Sequence, residues 1–185
     1  MGRKSKDEEA IDFICERNGF DPKVVYELTK MMLEQYSRSV AAGKVISDVK
    51  SEADQLAIKR QMRKAFLEIM KLPIEESREE QKKILWQISE YEWLSDLKDY
   101  VLKSMEEYGD YGRSYRTILE CCYMRRKKMT MVEVAAEVKL AVPTLSNKKR
   151  EAIKLFGIYC YLRAALKEQE DNDNNDNNSG IAMVV

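Results

Sequence analysis

The sequence contains no histidine among its 185 residues, and this absence excludes several kinds of chemistry. Ser-His-Asp and Cys-His catalysis, acid–base catalysis by imidazole and every histidine-containing zinc site are ruled out. Glycine is also scarce, with seven in the chain, and neither G-x-G-x-x-G nor G-x-x-x-x-G-K-[ST] occurs. Both common nucleotide-binding loops are therefore missing. We expect that the protein is not an enzyme, and we predict that it has no catalytic residue, metal or cofactor.

Cysteine pairs and long apolar runs are missing as well. The four cysteines (Cys15, Cys121, Cys122, Cys160) form no C-x-x-C pair, and two of them are adjacent and poorly placed to bridge each other. Buried free thiols in a reducing cytoplasm are the simplest interpretation. No apolar stretch is long enough to cross a bilayer, and acids follow the basic start MGRKSKDEE where a signal peptide has an apolar run. We expect a cytoplasmic protein without a membrane partner.

The charge of the chain is balanced overall but unevenly distributed. Residues 111–167 contain 13 Lys and Arg and four Glu, a local net charge of +9, whereas residues 1–110 carry −4 and residues 168–185 carry −5. A basic block of this kind is typical of a nucleic-acid-binding surface.

Apolar residues recur at three- and four-residue steps through most of the chain, which predicts an all-α fold of about seven helices. We predict a helical region over residues 1–89, a DNA-binding domain over 90–167 and a disordered acidic, Asn-rich tail over 168–185. In the first region, a helix from Asp21-Pro22 to Ala42 and another from near Ser47 or Asp48 to Leu72 suggest an antiparallel hairpin. The wide apolar stripe over residues 24–40 suggests subunit association, with a dimer favoured.

Within the basic block lies the pattern of a helix-turn-helix. Thr130 and Glu133 have the form of a capping box that opens a short helix. A break at residues 139–141 follows, and a second helix then begins with Pro143 in its first turn. Leu145, Ala152, Ile153 and Phe156 form the apolar stripe of that second helix, which leaves a polar and basic outer face. A short helix, a tight turn and a longer helix of this type can enter the major groove of DNA.

The residues of this predicted helix-turn-helix also resemble those of known proteins. Residues 130–138, TMVEVAAEV, resemble the first helix of the sigma-70 region 4 helix-turn-helix, and residues 143–153, PTLSNKKREAI, resemble its recognition helix. The C-terminal half, from YEWL at residue 91 through KKREAI at residues 148–153, is similar to sigma-like phage late-transcription regulators of the ArpU/RinA type. The sequence departs from the family at Lys139, where the turn usually has Gly, and at Ala141, where the second helix usually has a Ser or Thr N-cap.

The resemblance and the helical spacing together define the expected site. A helix with Leu145, Ala152 and Ile153 inward turns another set of side chains towards the groove. The predicted base-reading residues are Pro143, Thr144, Ser146, Asn147 and Arg150. The predicted phosphate-contacting residues are Arg125, Arg126, Lys127, Lys128, Thr130, Lys148, Lys149 and Lys154.

The implied function is sequence-specific DNA binding by a transcriptional regulator, by resemblance a late-gene activator of a phage or of a prophage in a bacterial host cell. The expected partners are double-stranded DNA, a second copy of the chain and, as a further candidate, RNA polymerase. Two alternatives remain open: a phage DNA-packaging protein of the small-terminase kind, and a helical adaptor that binds only protein. In the adaptor, the two motif helices would be ordinary core helices.

Overall fold

The computed structural model describes residues 4–43, 52–72, 74–90 and 92–181 of the chain. Every regular element in these ranges is helical, which confirms the all-α prediction. They contain eight α-helices and one π-helical segment, compared with the predicted seven or so. In chain order these are α1 Lys6–Arg17, α2 Pro22–Ala42, α3 Glu52–Ile69, α4 Ile74–Glu90, α5 Glu92–Met105, α6 Gly112–Leu119, the π-helical segment Glu120–Met124, α7 Met131–Glu137 and α8 Val142–Ile181.

Local sequence signals set the ends of the first helices. The hydroxyl of Ser5 accepts a hydrogen bond of 3.0 Å from the backbone N–H of Glu8 and caps α1. Asp21 caps α2 through the N–H of Lys23, with Pro22 as the first helical residue. Gly43 ends the same helix with φ of 66°, in the left-handed region that glycine tolerates. The predicted limits of α2 are therefore confirmed, while the predicted start of the next helix near Ser47 or Asp48 lies outside the described residues.

Helix α8 is the centre of the fold. All eight residues of 151–158 are buried, so this part of α8 is enclosed on every side. Helices α1, α2, α3, α5, α6 and α7 all pack against it. The buried apolar residues form one continuous cluster that draws on both halves of the chain. The division at residue 90 therefore does not separate two cores, because the first three helices are part of the covering of α8.

The apolar stripe of α2 is covered within the chain. Val25, Leu28 and Met32 are all buried, and α2 packs mainly on α4 and α8. The expected hairpin between α2 and α3 is corrected accordingly, since α3 packs on α4, α5 and α8. Because the stripe already has intramolecular partners, it no longer supports the prediction of subunit association.

The segment predicted as a disordered tail is helical as far as Ile181, where α8 ends. The buried guanidinium of Arg63 in α3 donates hydrogen bonds of 2.7 Å to Glu168 and 2.6 Å to Asp171. Burial alone would raise the pKa of Asp171, but hydrogen bonds from Lys167 and Arg63 bring it below the usual value. Two acids of the expected tail therefore hold α8 against α3, and the tail prediction is wrong for this part.

Two further expectations from the sequence concern thiols and membranes. All four cysteines are free and buried, as predicted. Burial raises the pKa of Cys15 to about 12, so this thiol stays protonated near neutral pH. Across the described ranges, no helix combines the length and apolar character that a membrane span requires.

Gly157 permits a close approach of α2 to α8. A Cβ atom built on Gly157 would lie 1.9 Å from Oγ1 and 3.0 Å from Cβ of Thr29. We predict that Gly157→Ala destabilises the fold by about 1–3 kcal/mol, the usual cost of overpacking a core. Equilibrium urea unfolding measures this change.

Thr29→Ala removes the atom in closest conflict and should recover part of the loss in the double variant. Equal costs of Gly157→Ala in the wild-type chain and in the Thr29→Ala variant would contradict the contact as described.

Candidate nucleic-acid interface

The first motif helix, α7, begins with the predicted capping box. The hydroxyl of Thr130 accepts a bond of 3.3 Å from the N–H of Glu133, and the Glu133 carboxylate accepts one of 2.6 Å from the N–H of Thr130. The bonds from Thr130 lower the pKa of the Glu133 carboxyl below its usual value. Val134 and Ala135 are buried and Val138 is half-buried, so α7 packs with the face that the sequence indicates.

A Schellman motif forms the turn between the two motif helices. The N–H of Leu140 donates to the carbonyl of Ala135 at 2.9 Å, and the N–H of Lys139 donates to the carbonyl of Ala136 at 3.3 Å. Lys139 has φ of 55°, the only non-glycine residue with a positive φ in the described ranges. The turn therefore has the left-handed geometry usually given to glycine, and Lys139 bears its steric cost.

The second motif helix, α8, begins without a side-chain cap at Ala141, since alanine has no oxygen to accept a backbone N–H. The N–H of Leu145 bonds to the carbonyl of Ala141 at 2.9 Å, and the hydroxyl of Ser146 donates to the carbonyl of Val142 at 3.3 Å. The predicted base-reading residues Pro143, Thr144, Ser146, Asn147 and Arg150 are all exposed. We call this set the exposed face of α8.

The predicted phosphate-contacting residues divide into exposed and buried groups. Arg125, Arg126, Lys127 and Lys128 are exposed in a loop that follows the π-helical segment, and Thr130 is exposed at the capping box. The loop is held at its base by a bond of 3.2 Å from the N–H of Arg125 to the carbonyl of Glu120. Lys149 is half-buried with its ammonium 4.9 Å from the centre of the Tyr123 ring. The remaining two lysines are placed differently.

Lys148 is buried and already paired with acids. Its ammonium donates to Asp7 at 2.7 Å and to Glu151 at 2.8 Å, and it lies 3.9 Å from the centre of the Tyr111 ring. Only 6% of the residue is exposed. The expectation that Lys148 contacts phosphate is therefore corrected for the fold as described, because the ammonium has no free path to an external anion.

Lys154 is held in the same way by α1. Its ammonium donates to Glu8 at 2.9 Å and to Asp12 at 2.5 Å, and 4% of the residue is exposed. Asp12 also accepts a bond of 2.6 Å from the exposed Lys4. The expected phosphate contact of Lys154 is corrected for the same reason.

Glu151 joins the Lys148 pair to Ser5 and Tyr115. Its carboxylate accepts bonds of 2.6 Å from both the Ser5 hydroxyl and the Tyr115 hydroxyl, in addition to that from Lys148. We call this group, together with the acidic partners of Lys154, the ionic network; its members are Lys4 and Ser5 just before α1, Asp7, Glu8 and Asp12 of α1, Tyr115 of α6, and Lys148, Glu151 and Lys154 of α8. A buried charge is tolerable only when it is paired and hydrogen-bonded, and each charge here has at least one such partner.

The pKa shifts in the ionic network favour its charged form. Burial alone would raise the pKa of Asp12, but hydrogen bonds from Lys154 and Lys4 bring it below the usual value. Burial alone would lower the pKa of Lys148, but bonds to Asp7 and Glu151 raise it. Burial and the bond to Glu151 both raise the pKa of the Tyr115 hydroxyl, which therefore stays a donor.

Ion pairing also neutralises part of the basic block, residues 111–167. Of its 13 Lys and Arg, five are paired with acids in the described structure: Arg116, Lys148, Lys154, Arg163 and Lys167. The others lie mainly between residues 125 and 150, in the loop, the turn and the first turns of α8. The basic surface is smaller than the sequence count implies, and residues 125–150 contribute most of it.

Sequence reasoning missed two features of this site. Lys139 is exposed in the turn, beside the two motif helices, but was not among the predicted contacts. The acids near the N-terminus were interpreted only as evidence against a signal peptide, although Asp7, Glu8 and Asp12 neutralise lysines more than 140 positions away. A run of acids at the start of one helix and a lysine pair in another are visible signals, but nothing local joins them.

Comparison with known proteins adds no relative: no family model, curated protein or solved structure matches the chain.

The left-handed backbone at Lys139 can be tested by substituting glycine, which adopts a positive φ without strain. We predict that Lys139→Gly stabilises the protein by about 1 kcal/mol, because glycine adopts a positive φ without the Cβ clash that costs other residues ~1–2 kcal/mol. Lys139→Ala is the matched control, since it removes the same charge and keeps the Cβ. Urea midpoints compare the two variants, and equal stability of the Gly and Ala forms would contradict the left-handed turn.

Proposed function

We propose that the protein is a sequence-specific DNA-binding transcriptional regulator that reads the major groove with the first turns of α8. The observation that carries this proposal is the exposed face of α8, where all five expected base-reading side chains are accessible. By the resemblance to sigma-like phage regulators, the finer proposal is a late-gene activator of a phage or prophage. DNA and RNA polymerase are its proposed partners.

The side chains of the exposed face suit base recognition. Asn147 can form the paired amide contacts with N6 and N7 of adenine, and Arg150 can form the forked contact with O6 and N7 of guanine. Thr144 can touch a thymine methyl group or a phosphate. Their neighbours Leu145, Ala152 and Ile153 are buried, so the orientation of this face is fixed by the core.

The exposed cations would supply the sequence-independent part of the binding. Of the expected phosphate-contacting cations, Arg125, Arg126, Lys127 and Lys128 are exposed and Lys149 is half-buried. Each phosphate neutralised on duplex DNA contributes about −0.9 to the slope of log K against log salt. Engagement of these five gives an expected slope of about −4.5.

The alternatives are separated by simple measurements. A protein-only adaptor predicts no salt-sensitive binding to any duplex. A packaging protein predicts a ring of many subunits, which light scattering detects. A regulator predicts selection of a defined sequence from random DNA, and that selection is the most direct test of the proposal.

Base reading is tested by Asn147→Ala. We predict a loss of about 1–3 kcal/mol on the selected site and relaxed preference at one base pair, with non-specific binding nearly unchanged. Fluorescence anisotropy on the selected duplex and on its single-base variants measures both effects. Asn172→Ala is the control, because Asn172 is an exposed amide of the same helix, ~37 Å further along it. Equal weakening on every sequence would remove Asn147 from base reading.

Phosphate contact is tested by changing all four residues of 125–128 to Ala. We predict that every sequence is bound more weakly and that the salt slope flattens by about 3.6, which is the contribution of four phosphates. A charge-matched control changes four exposed cations elsewhere, Arg17, Lys23, Lys71 and Lys103, to Ala. If the two quadruple variants have the same slope, net charge and not this loop accounts for the binding.

A further inference from the structure

The exposed face of α8 ends abruptly at Arg150. Glu151 is four residues beyond Asn147 and Lys154 is seven beyond it, so both continue nearly the same side of the helix at 3.6 residues per turn. Both are nevertheless buried, with 1% and 4% of each residue exposed. The side of α8 that would face DNA is open for its first turns and is then covered.

Helix α1 provides this cover, together with Tyr115 of α6. Asp7 and Glu8, in the first turn of α1, bind Lys148 and Lys154, and the hydroxyl of Ser5 binds Glu151. The carboxylate of Asp12 adds a second partner for Lys154. Each of these lysines therefore has a carboxylate of α1 where an external anion would otherwise bind.

Resting on the proposed function, we propose that α1 is an intramolecular competitor of DNA: its carboxylates occupy Lys148 and Lys154 in place of phosphates, so that docking of α1 limits DNA affinity. Carboxylate and phosphate oxygens make the same charge-assisted bonds to an ammonium group. Release of α1 leaves Lys154 without a carboxylate partner and Lys148 with Glu151 alone, next to the exposed face of α8 on the sides that carry Asn147 and Thr144. The regulator then has a weak form with α1 docked and a tight form with α1 released.

The contact between α1 and α8 has features expected of a reversible cover. Asp7 is 41% exposed at its side chain, so water and salt reach one of the pairs directly. Phe13, on the outer side of α1, is 62% exposed, so that side of the helix has no covering element within the described part of the chain. The apolar anchors of α1, Ile11 and Cys15, are buried, and they keep α1 docked in the absence of DNA.

The test uses the full chain with Asp7→Asn, Glu8→Gln and Asp12→Asn together, a nearly isosteric triple variant. The probe is a fluorescein-labelled duplex of random sequence, titrated at several salt concentrations. We expect tighter binding at low salt and a slope steeper by about 1.8 than that of the wild type, the contribution of two further phosphates. Hydrogen exchange of residues 6–17 reports the release of α1 without DNA, and circular dichroism reports that the remaining helices are retained.

Two controls separate release of the lysines from loss of negative charge. Glu9→Gln with Glu16→Gln removes two exposed carboxylates of α1 that hold neither lysine, and it should leave the slope unchanged. Lys148→Met with Lys154→Met, added to the triple variant, should return the slope to the wild-type value. If the triple variant destabilises the whole fold, Glu8→Gln with Asp12→Asn releases Lys154 while Lys148 keeps Asp7, and it should steepen the slope by about half as much.

The outcomes distinguish the two proposals. If neither the wild type nor any variant binds the duplex, the proposed function is overturned and this inference with it. If the wild type binds and the triple variant exchanges faster over residues 6–17 without a steeper slope, the competitor role alone is overturned. If the Glu9 and Glu16 control steepens the slope as much as the triple variant, general electrostatics explains the gain and the competitor role is likewise overturned.

Discussion

Burial of α8 on all sides is the constraint on which the rest of the structure depends. Eight consecutive buried residues require neighbours around the whole circumference of a helix, and one face of a bundle cannot supply them. Helices from the first and the second half of the chain meet this requirement together. Within the same stretch lie Glu151 and Lys154, whose charges must be paired where water is excluded. The acidic helix α1 is therefore needed for electrostatic reasons as much as for packing.

The same constraint explains why the chain does not divide at residue 90. A helix-turn-helix unit of three or four helices commonly has a core of its own, and the sequence pattern from residue 90 onward was interpreted in that way. Here α8 continues into the centre of the protein, and Gly157 allows Thr29 of α2 to approach its backbone closely. A close contact of this kind fixes the N-terminal half against α8. The position of the exposed face is then set by the whole chain.

Local structure was predictable from the sequence, and long-range pairing was not. The capping box at Thr130, the proline start of α2 and its glycine end all depend on residues within a few positions of each other, and all three are present. By contrast, Lys148, Glu151 and Lys154 are polar residues in the first turns of a helix, where spacing alone indicates a solvated or DNA-facing side. Their burial depends on Ser5, Asp7 and Glu8, which only the tertiary fold brings to them. Long-range pairing also accounts for the helical tail. Arg63 of α3 binds acids that composition alone assigns to a disordered segment.

Along α8, an exposed surface therefore gives way to a buried core between two adjacent residues. Arg150 is exposed and belongs to the face that would meet DNA, whereas Glu151 is 1% exposed and joins three elements through its carboxylate. Substitution of an exposed residue before this point removes few contacts and should leave the free energy of unfolding almost unchanged. Removal of the Glu151 carboxylate instead takes a buried acceptor from both Tyr115 and Lys148, a costly loss in a low-dielectric interior. Because the exposed face of α8 ends at Arg150 and the buried stretch begins at Glu151, a change in how α1 packs near Glu151 takes place directly beside the surface proposed to meet DNA.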